Sequence, residues 1–180
     1  MEHELCLFKI KLQSLGALRP EAWERIMQLS QQLRITTAKN LVRRPSSLVY
    51  VAEGLLKEYD HHEREQPAII NFIGLQQCFV TRRHHQNHYL QACTPCIVYH
   101  WDGEALQKLY QDFKELKPVY ESLYAEYDEQ MMLRMRLLEM SVQERIDAFR
   151  LTFKSTIPYL KKTDIANYLN VSYTNLLAKL

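Results

Sequence analysis

The stretch Lys161-Lys-Thr-Asp-Ile-Ala-Asn-Tyr-Leu-Asn-Val-Ser-Tyr-Thr-Asn-Leu-Leu-Ala-Lys-Leu180 decides how the rest of the chain is read. It divides into two short helical pieces about a three-residue hinge. Thr163 or Asp164 suits the cap of the first piece, and Ile165, Ala166 and Leu169 give that piece an apolar face at helical spacing. Ala166 is small enough for a second helix to approach closely. Asn170 ends the first piece, because asparagine tolerates the left-handed conformation of a tight helix-to-helix turn. Val171 plugs the corner, and Ser172 caps a second helix with Leu176, Leu177 and Leu180 turned inward. The pattern is that of a helix-turn-helix, which would offer Tyr173, Thr174, Asn175 and Lys179 to a DNA major groove. A plain packing hairpin also needs a small residue, a turn residue and a cap, so it fits the same letters.

Charge is distributed in keeping with a nucleic-acid face. From Ser141 onward, Arg145, Arg150, Lys154, Lys161, Lys162 and Lys179 stand against Glu144, Asp147 and Asp164, whereas residues 1–140 carry seventeen basic and eighteen acidic side chains. The modest excess therefore lies with the hairpin, where phosphate contact needs it. With 47% hydrophobic residues among 180, the chain has enough apolar material for a substantial core. No apolar run approaches the roughly 20 residues of a membrane span. The start, with Glu2 and Glu4, has no secretory leader pattern, so a cytoplasmic location is expected, with Cys6, Cys78, Cys93 and Cys96 as free thiols.

Ahead of the hairpin, residues 1 to about 34 read as helix, with Leu15, Leu18, Trp23, Ile26, Met27 and Leu33 as contacts and Pro20 in a first turn. From Ile35 to Trp101 the chain changes to short β-rich runs. These are Ser47 to Val51, Leu55 to Tyr59, Ala68 to Ile73, Cys78 to Thr81, Tyr89 to Ala92 and Cys96 to His100, with turn residues between them. Strands this short and evenly spaced predict a small barrel, roll or sandwich. Asp102 then caps a helix from Gly103 to about Phe113. Pro118 suits the first turn of a long helix to about Met140, Ser141-Val-Gln-Glu144 is a capping box for another, and Pro158 ends that one. The long helix carries Tyr120, Leu123, Tyr124, Tyr127, Met131, Met135 and Leu138 at three- and four-residue steps. Such a stripe also suits core packed within the chain, but a dimer seam is expected there, with Tyr120, Tyr124, Tyr127, Met131 and Leu138 at or near it, because reading heads of this kind commonly work in pairs.

In this order the elements resemble the Crp/Fnr family of bacterial transcription regulators. The resemblance rests on Leu48-Val-Tyr-Val-Ala-Glu-Gly-Leu-Leu-Lys57, similar to the family's strand-turn-strand, and on Trp101-Asp-Gly-Glu-Ala-Leu-Gln-Lys-Leu-Tyr110, similar to its strand-to-helix exit. Asp164-Ile-Ala-Asn-Tyr-Leu-Asn-Val-Ser172 is similar to its first motif helix and turn. It implies an α+β fold: an N-terminal β-roll of the double-stranded β-helix or jelly-roll type with flanking helices (1–115), a long dimerisation helix (116–140) and a C-terminal helix-turn-helix domain (141–180). It further implies a homodimeric, non-enzymatic regulator of palindromic double-stranded DNA, with RNA polymerase and an unknown small-molecule effector among its partners. The DNA-binding residues would be Lys161, Lys162, Ser172, Tyr173, Thr174, Asn175 and Lys179.

The departures from the family pattern are chemical. Relatives that bind cyclic nucleotides hold the ribose with a Gly-Glu pair and the phosphate with an Arg-Ser pair; the matching positions here are Gln77-Cys78 and Gln86-Asn87, which lack both the carboxylate and the guanidinium. Arg82 and Arg83 in the neighbouring loop would then be the cations of a degenerate effector pocket, or simply solvated surface. Thr174 and Ala178 stand where many relatives carry base-reading Glu and Arg. No β-wing follows the motif before Leu180; either this branch lacks it or the chain is shortened.

Cys93-Thr-Pro-Cys96, with His84, His85, His88 and His100 nearby in sequence, has the spacing of one half of a zinc site, but a turn at Thr94-Pro95 accounts for that spacing without metal. No cofactor is expected. The competing readings are a cupin-like metal- or small-molecule-binding roll, and a regulator that binds a partner protein without touching DNA.

Overall fold

The computed structural model describes residues 2–42, 44–61, 65–82 and 88–179, with side chains from residue 5 onward. Two helices, α1 (Glu2–Leu15) and α2 (Pro20–Leu29), precede eight strands. These are β1 (Gln31–Ile35), β2 (Asn40–Leu41), β3 (Ser47–Glu53), β4 (Leu56–Asp60), β5 (Ala68–Ile73), β6 (Cys78–Thr81), β7 (His88–Ala92) and β8 (Cys96–Trp101). The remaining helices are α3 (Gly103–Asp112), α4 (Leu116–Glu139), α5 (Val142–Thr152), α6 (Lys162–Leu169) and α7 (Tyr173–Lys179), with a 3₁₀ turn at Ile157–Tyr159. The strands form two antiparallel four-stranded sheets in the orders β1-β8-β3-β6 and β2-β7-β4-β5.

Both sheets are covered on both faces, which is why β3 and β5 are buried almost throughout instead of alternating. Val49, Val51, Leu56, Ile73, Phe79, Leu90 and Val98 meet in the interior of the roll. Leu48, Tyr50, Tyr99 and Trp101 point the other way, against α1, α2, α3 and the start of α4, where Phe8 stacks on Tyr50 at 4.3 Å and Trp101 donates to the Ile26 carbonyl at 2.8 Å. The outer face of the second sheet, through Leu55, Ile69 and Phe72, packs on Leu137, Ile146, Phe149, Ile165, Tyr168 and Leu176 of the C-terminal helices. At the β3–β4 turn Gly54 has φ +88°, and a Cβ there would run into the Pro95 carbonyl and the Cys96 Sγ, so only glycine fits.

Most predicted strands lie where the sequence places them, with two corrections at the front. Gln31–Ile35 is a strand and not the end of a helix: it pairs antiparallel with β8, Gln31 opposite His100. Pairing to a central strand overrides the helical spacing of Leu33, which stays exposed. The two-residue β2 carries no periodicity by which sequence could find it. The long helix begins at Leu116, two residues ahead of Pro118, and α5 ends at Thr152, well before Pro158. The capping box is present in full, with Ser141 accepting from the Glu144 N–H and the Glu144 carboxylate accepting from the Ser141 N–H. No described helix is long and apolar enough to cross a membrane.

Candidate nucleic-acid interface

The terminal hairpin has helix-turn-helix geometry. Asn170 sits in the left-handed region (φ 52°, ψ 50°), and the Val171 N–H reaches back to the Ala166 carbonyl at 3.0 Å, closing the end of α6. Ser172 Oγ accepts from the Asn175 N–H at 3.1 Å and caps α7. Leu176 is buried beneath α6, while Tyr173, Thr174, Asn175 and Lys179 are exposed on the outer side of α7. Leu177, expected inward, is 45% exposed, because seven residues of helix bury one leucine row and turn the adjacent one outward. Leu180 lies outside the described residues.

The start of α6 also differs from expectation. Neither Thr163 nor Asp164 caps it; Lys161 occupies the cap position in extended conformation without a side-chain hydrogen bond, and both Lys161 and Lys162 are exposed. Asp164 is instead taken by Lys57 Nζ of β4 at 2.8 Å. Burial pulls the Lys57 ammonium down, but the hydrogen bonds it donates to Asp164 and Tyr59 outweigh that, and the net shift is upward.

Three further residues hold the hairpin, and sequence reading found none of them. Asn167 Oδ1 accepts from the Ile69 N–H at 2.6 Å, and its Nδ2 donates to the Pro67 carbonyl at 3.1 Å, so one side chain pairs with the free edge of β5 as a neighbouring strand would. Arg145 donates to the carbonyls of Leu137, Leu138 and Met140 at the end of α4 and to that of Leu169 at the end of α6. Arg134 donates to the Tyr168 carbonyl at 2.9 Å. The last carbonyls of α6 are thus satisfied by cations, the sign its C-terminal dipole favours. An arginine at such a spot carries no motif, since its partners are backbone groups distant in sequence.

Inside the roll, the expected effector residues separate. Cys78 faces the outer helices and not the interior, because the strand alternation that sends Phe79 inward sends its neighbour outward; burial pushes its thiol up to about 12. Gln77 accepts from the Gly74 N–H at 2.6 Å in the β5–β6 turn. Arg82 is not solvated surface: it pairs with Asp128 of α4 and lies 4.3 Å above the Tyr124 ring. Arg83, Gln86 and Asn87 lie outside the described residues.

The stripe on α4 needs a correction as well. Tyr127 is 0% exposed and enters the roll interior, where its hydroxyl donates to the Glu58 carboxylate at 2.8 Å, with His88 Nδ1 at 3.1 Å from the same carboxylate. It is therefore core and not a seam residue. Met131 packs beside it on the same interior, and Tyr120 and Tyr124 pack on the α1–α3 side, so the helix spends this face within its own chain. Leu138 is half-buried. Apolar residues that the helix does turn outward include Ala125, Met132 and Met135, the two methionines 46% and 57% exposed.

The metal-like constellation does not come together among the described residues, where no group of three His, Cys, Asp or Glu could hold an ion. Cys93 and Cys96 flank the β7–β8 turn; burial pushes the Cys93 thiol up to about 12, and Cys96 Sγ lies 3.2 Å from the Thr94 carbonyl. His88 turns to Glu58, His100 is buried in β8, and His84 and His85 lie outside the described residues.

No protein-family model matches the sequence, and no curated protein matches it. Solved structures do. FixK2 from Bradyrhizobium japonicum superposes with a TM-score of 0.73 at 14% identity, over 83% of this chain and 82% of that one. CLP of Xanthomonas campestris, a c-di-GMP responsive global regulator, superposes with a TM-score of 0.65 at 18% identity over 90% of each chain. A transcriptional regulator of the crp/fnr family from Eubacterium rectale gives 0.69 at 14% identity, over 90% of this chain and 82% of that one. With two antiparallel sheets rolled together, a long helix leaving them and a helix-turn-helix hairpin beyond it, the chain has the fold of the Crp/Fnr regulators.

Proposed function

We propose that the chain is a DNA-binding transcription regulator of the Crp/Fnr type, acting as a homodimer with RNA polymerase as its downstream partner, and that cyclic AMP is not its effector. The observation that carries this reading is the hairpin: a left-handed Asn170 turn, a Ser172 cap and an outer face of α7 that buries nothing of its own chain. In a major groove the N-terminal end of α7 brings Tyr173, Thr174 and Asn175 to base edges, with asparagine matched to adenine, while Lys161, Lys162 and Lys179 serve phosphates. Without a base-reading arginine, discrimination leans on backbone contact and DNA shape. The dimer seam moves to Ala125, Met132 and Met135, which repeat with Asp128 and Glu139 at alternating three- and four-residue steps along the outward side of α4.

The test is selection from a random duplex pool at two salt concentrations. Enrichment of an inverted repeat, with half-sites about one helical turn (roughly 34 Å) apart, is expected. Failure to enrich any sequence would overturn the reading in favour of a partner-binding regulator.

A further inference from the structure

A cleft of about 760 Å³ opens between the roll and the C-terminal helices, bounded by the β3–β4 and β5–β6 turns, by Gln130 and Leu133 of α4, and by the segment from Thr152 to Tyr159. Its volume falls within the range of small-molecule sites, roughly 300–1,000 Å³. It lies outside the roll interior that Tyr127 fills, and it touches all three parts of the chain at once.

Two features of its wall point to a ligand. The first is a pair of orphaned polar atoms: Asn71 Nδ2, a donor on a residue only 2% exposed, and Gln130 Oε1, an acceptor, both shielded from solvent and neither hydrogen-bonded. Buried polar groups are almost always paired, and leaving a donor and an acceptor unpaired in one cleft is costly unless something else completes them. Both residues line the cleft, and rotation about the final torsion of each amide is the movement that would bring its unpaired atom to a ligand there. The second feature is charge. Among the described residues that line the cleft there is no lysine, arginine or histidine, and the only carboxylate is Glu53; Phe72, Phe153 and Tyr159 supply aromatic surface. Such a wall disfavours a phosphate or carboxylate, which would be desolvated without a cation.

We propose that this cleft binds an uncharged, planar ligand with an amide or lactam edge, which presents its carbonyl to Asn71 and its N–H to Gln130 while its ring lies against the aromatic side chains. The assignment stands apart from DNA binding, since its readout is binding to the chain alone.

The experiment is ligand-observed NMR on the full chain with matched probes: nicotinamide against nicotinate, and inosine against inosine monophosphate. The neutral member of each pair should bind at least about tenfold more tightly than the anion. Asn71→Leu and Gln130→Leu should each weaken the neutral probes by about tenfold and melt no lower than the wild type, because an apolar replacement removes an unpaired polar group. The assignment is overturned if neither neutral probe binds at millimolar concentration, if the anions bind equally well, or if the leucine variants bind as the wild type does. The comparison of neutral and anionic probes on the wild type needs no variant, so the assignment stays testable even if both variants fail to fold.

Discussion

Lys57 Nζ on the second sheet donates to the Asp164 carboxylate of the hairpin's first helix across 2.8 Å, with side chains only 8% and 14% exposed. Burial opposes the ammonium's charge, but its bonds to Asp164 and Tyr59 outweigh that and keep Lys57 charged at neutral pH. Removing one partner strands the other. Asp164→Ala should therefore cost about 3–5 kcal/mol in urea unfolding, while Lys57→Met combined with Asp164→Leu should recover most of that loss. A single variant within about 1 kcal/mol of the wild type would show that water reaches the pair.

Cyclic AMP is expected not to bind. The positions matched to the cyclic-nucleotide cassette lack its carboxylate, Cys78 faces away from the interior, and Tyr127 with its hydroxyl on Glu58 takes up interior space. Each charge-assisted hydrogen bond forgone is worth about 1.5–3 kcal/mol. Titration calorimetry that returned low-micromolar cyclic AMP binding would refute this.

The outward methionines make a sharper dimer test than the aromatic row. Met132→Glu with Met135→Glu should yield monomers in sedimentation without loss of helix, since both side chains are exposed. Tyr127→Glu should instead unfold the roll, because it buries a second carboxylate beside Glu58. If the wild type sediments as a monomer at tens of micromolar, on the order of ordinary dimer affinities, the seam is discarded.

On DNA, the lysines and the polar residues of α7 should separate by phenotype. Lys161→Ala, Lys162→Ala and Lys179→Ala are expected to weaken all sequences alike and to lower the salt slope by about 0.9 per lost phosphate contact. Thr174→Ala and Asn175→Ala should shift the preferred sequence, by about 1–3 kcal/mol at one position. Uniform behaviour across both sets would mean that α7 does not enter a groove.

His100 gives the fold an acid sensitivity. Burial first, and then Arg44, pull its imidazole below the ordinary value against the opposing pull of Asp102. The unfolded chain therefore takes up a proton near pH 6.5 while the folded chain still resists it. Stability is full above that pH and falls as the pH drops toward the folded value, by at most about 1.4 kcal/mol per unit. His100→Leu should flatten the urea midpoint between pH 7.5 and 5.5; parallel curves for the two proteins would remove His100 as the cause.

What sequence could show here was local. Strands such as Ala68–Ile73, the Ser141 capping box and the Asn170 turn depend on neighbours a few residues away, and letters alone reveal them. Partners distant in sequence were not legible. Tyr127 reads as one of a surface row until the roll closes over it, and Asp164 reads as a cap until Lys57 comes within reach. The direction of Cys78 was missed because a single-residue change of register exchanges the two faces of a strand. Asn167 and Arg145 bond to main-chain atoms, which every residue owns, so no composition or spacing announces them.

The side chain of Asn167 has a consequence for solubility. β5 is the last strand of its sheet, and that amide occupies the Ile69 N–H and the Pro67 carbonyl on its open side. Lifting α6 away uncovers both groups beside Ile69 and Phe72, an apolar strand edge of the kind that zips onto a second chain. Conditions or substitutions that loosen the C-terminal hairpin would then be marked by aggregation through β5 before any loss of the roll itself.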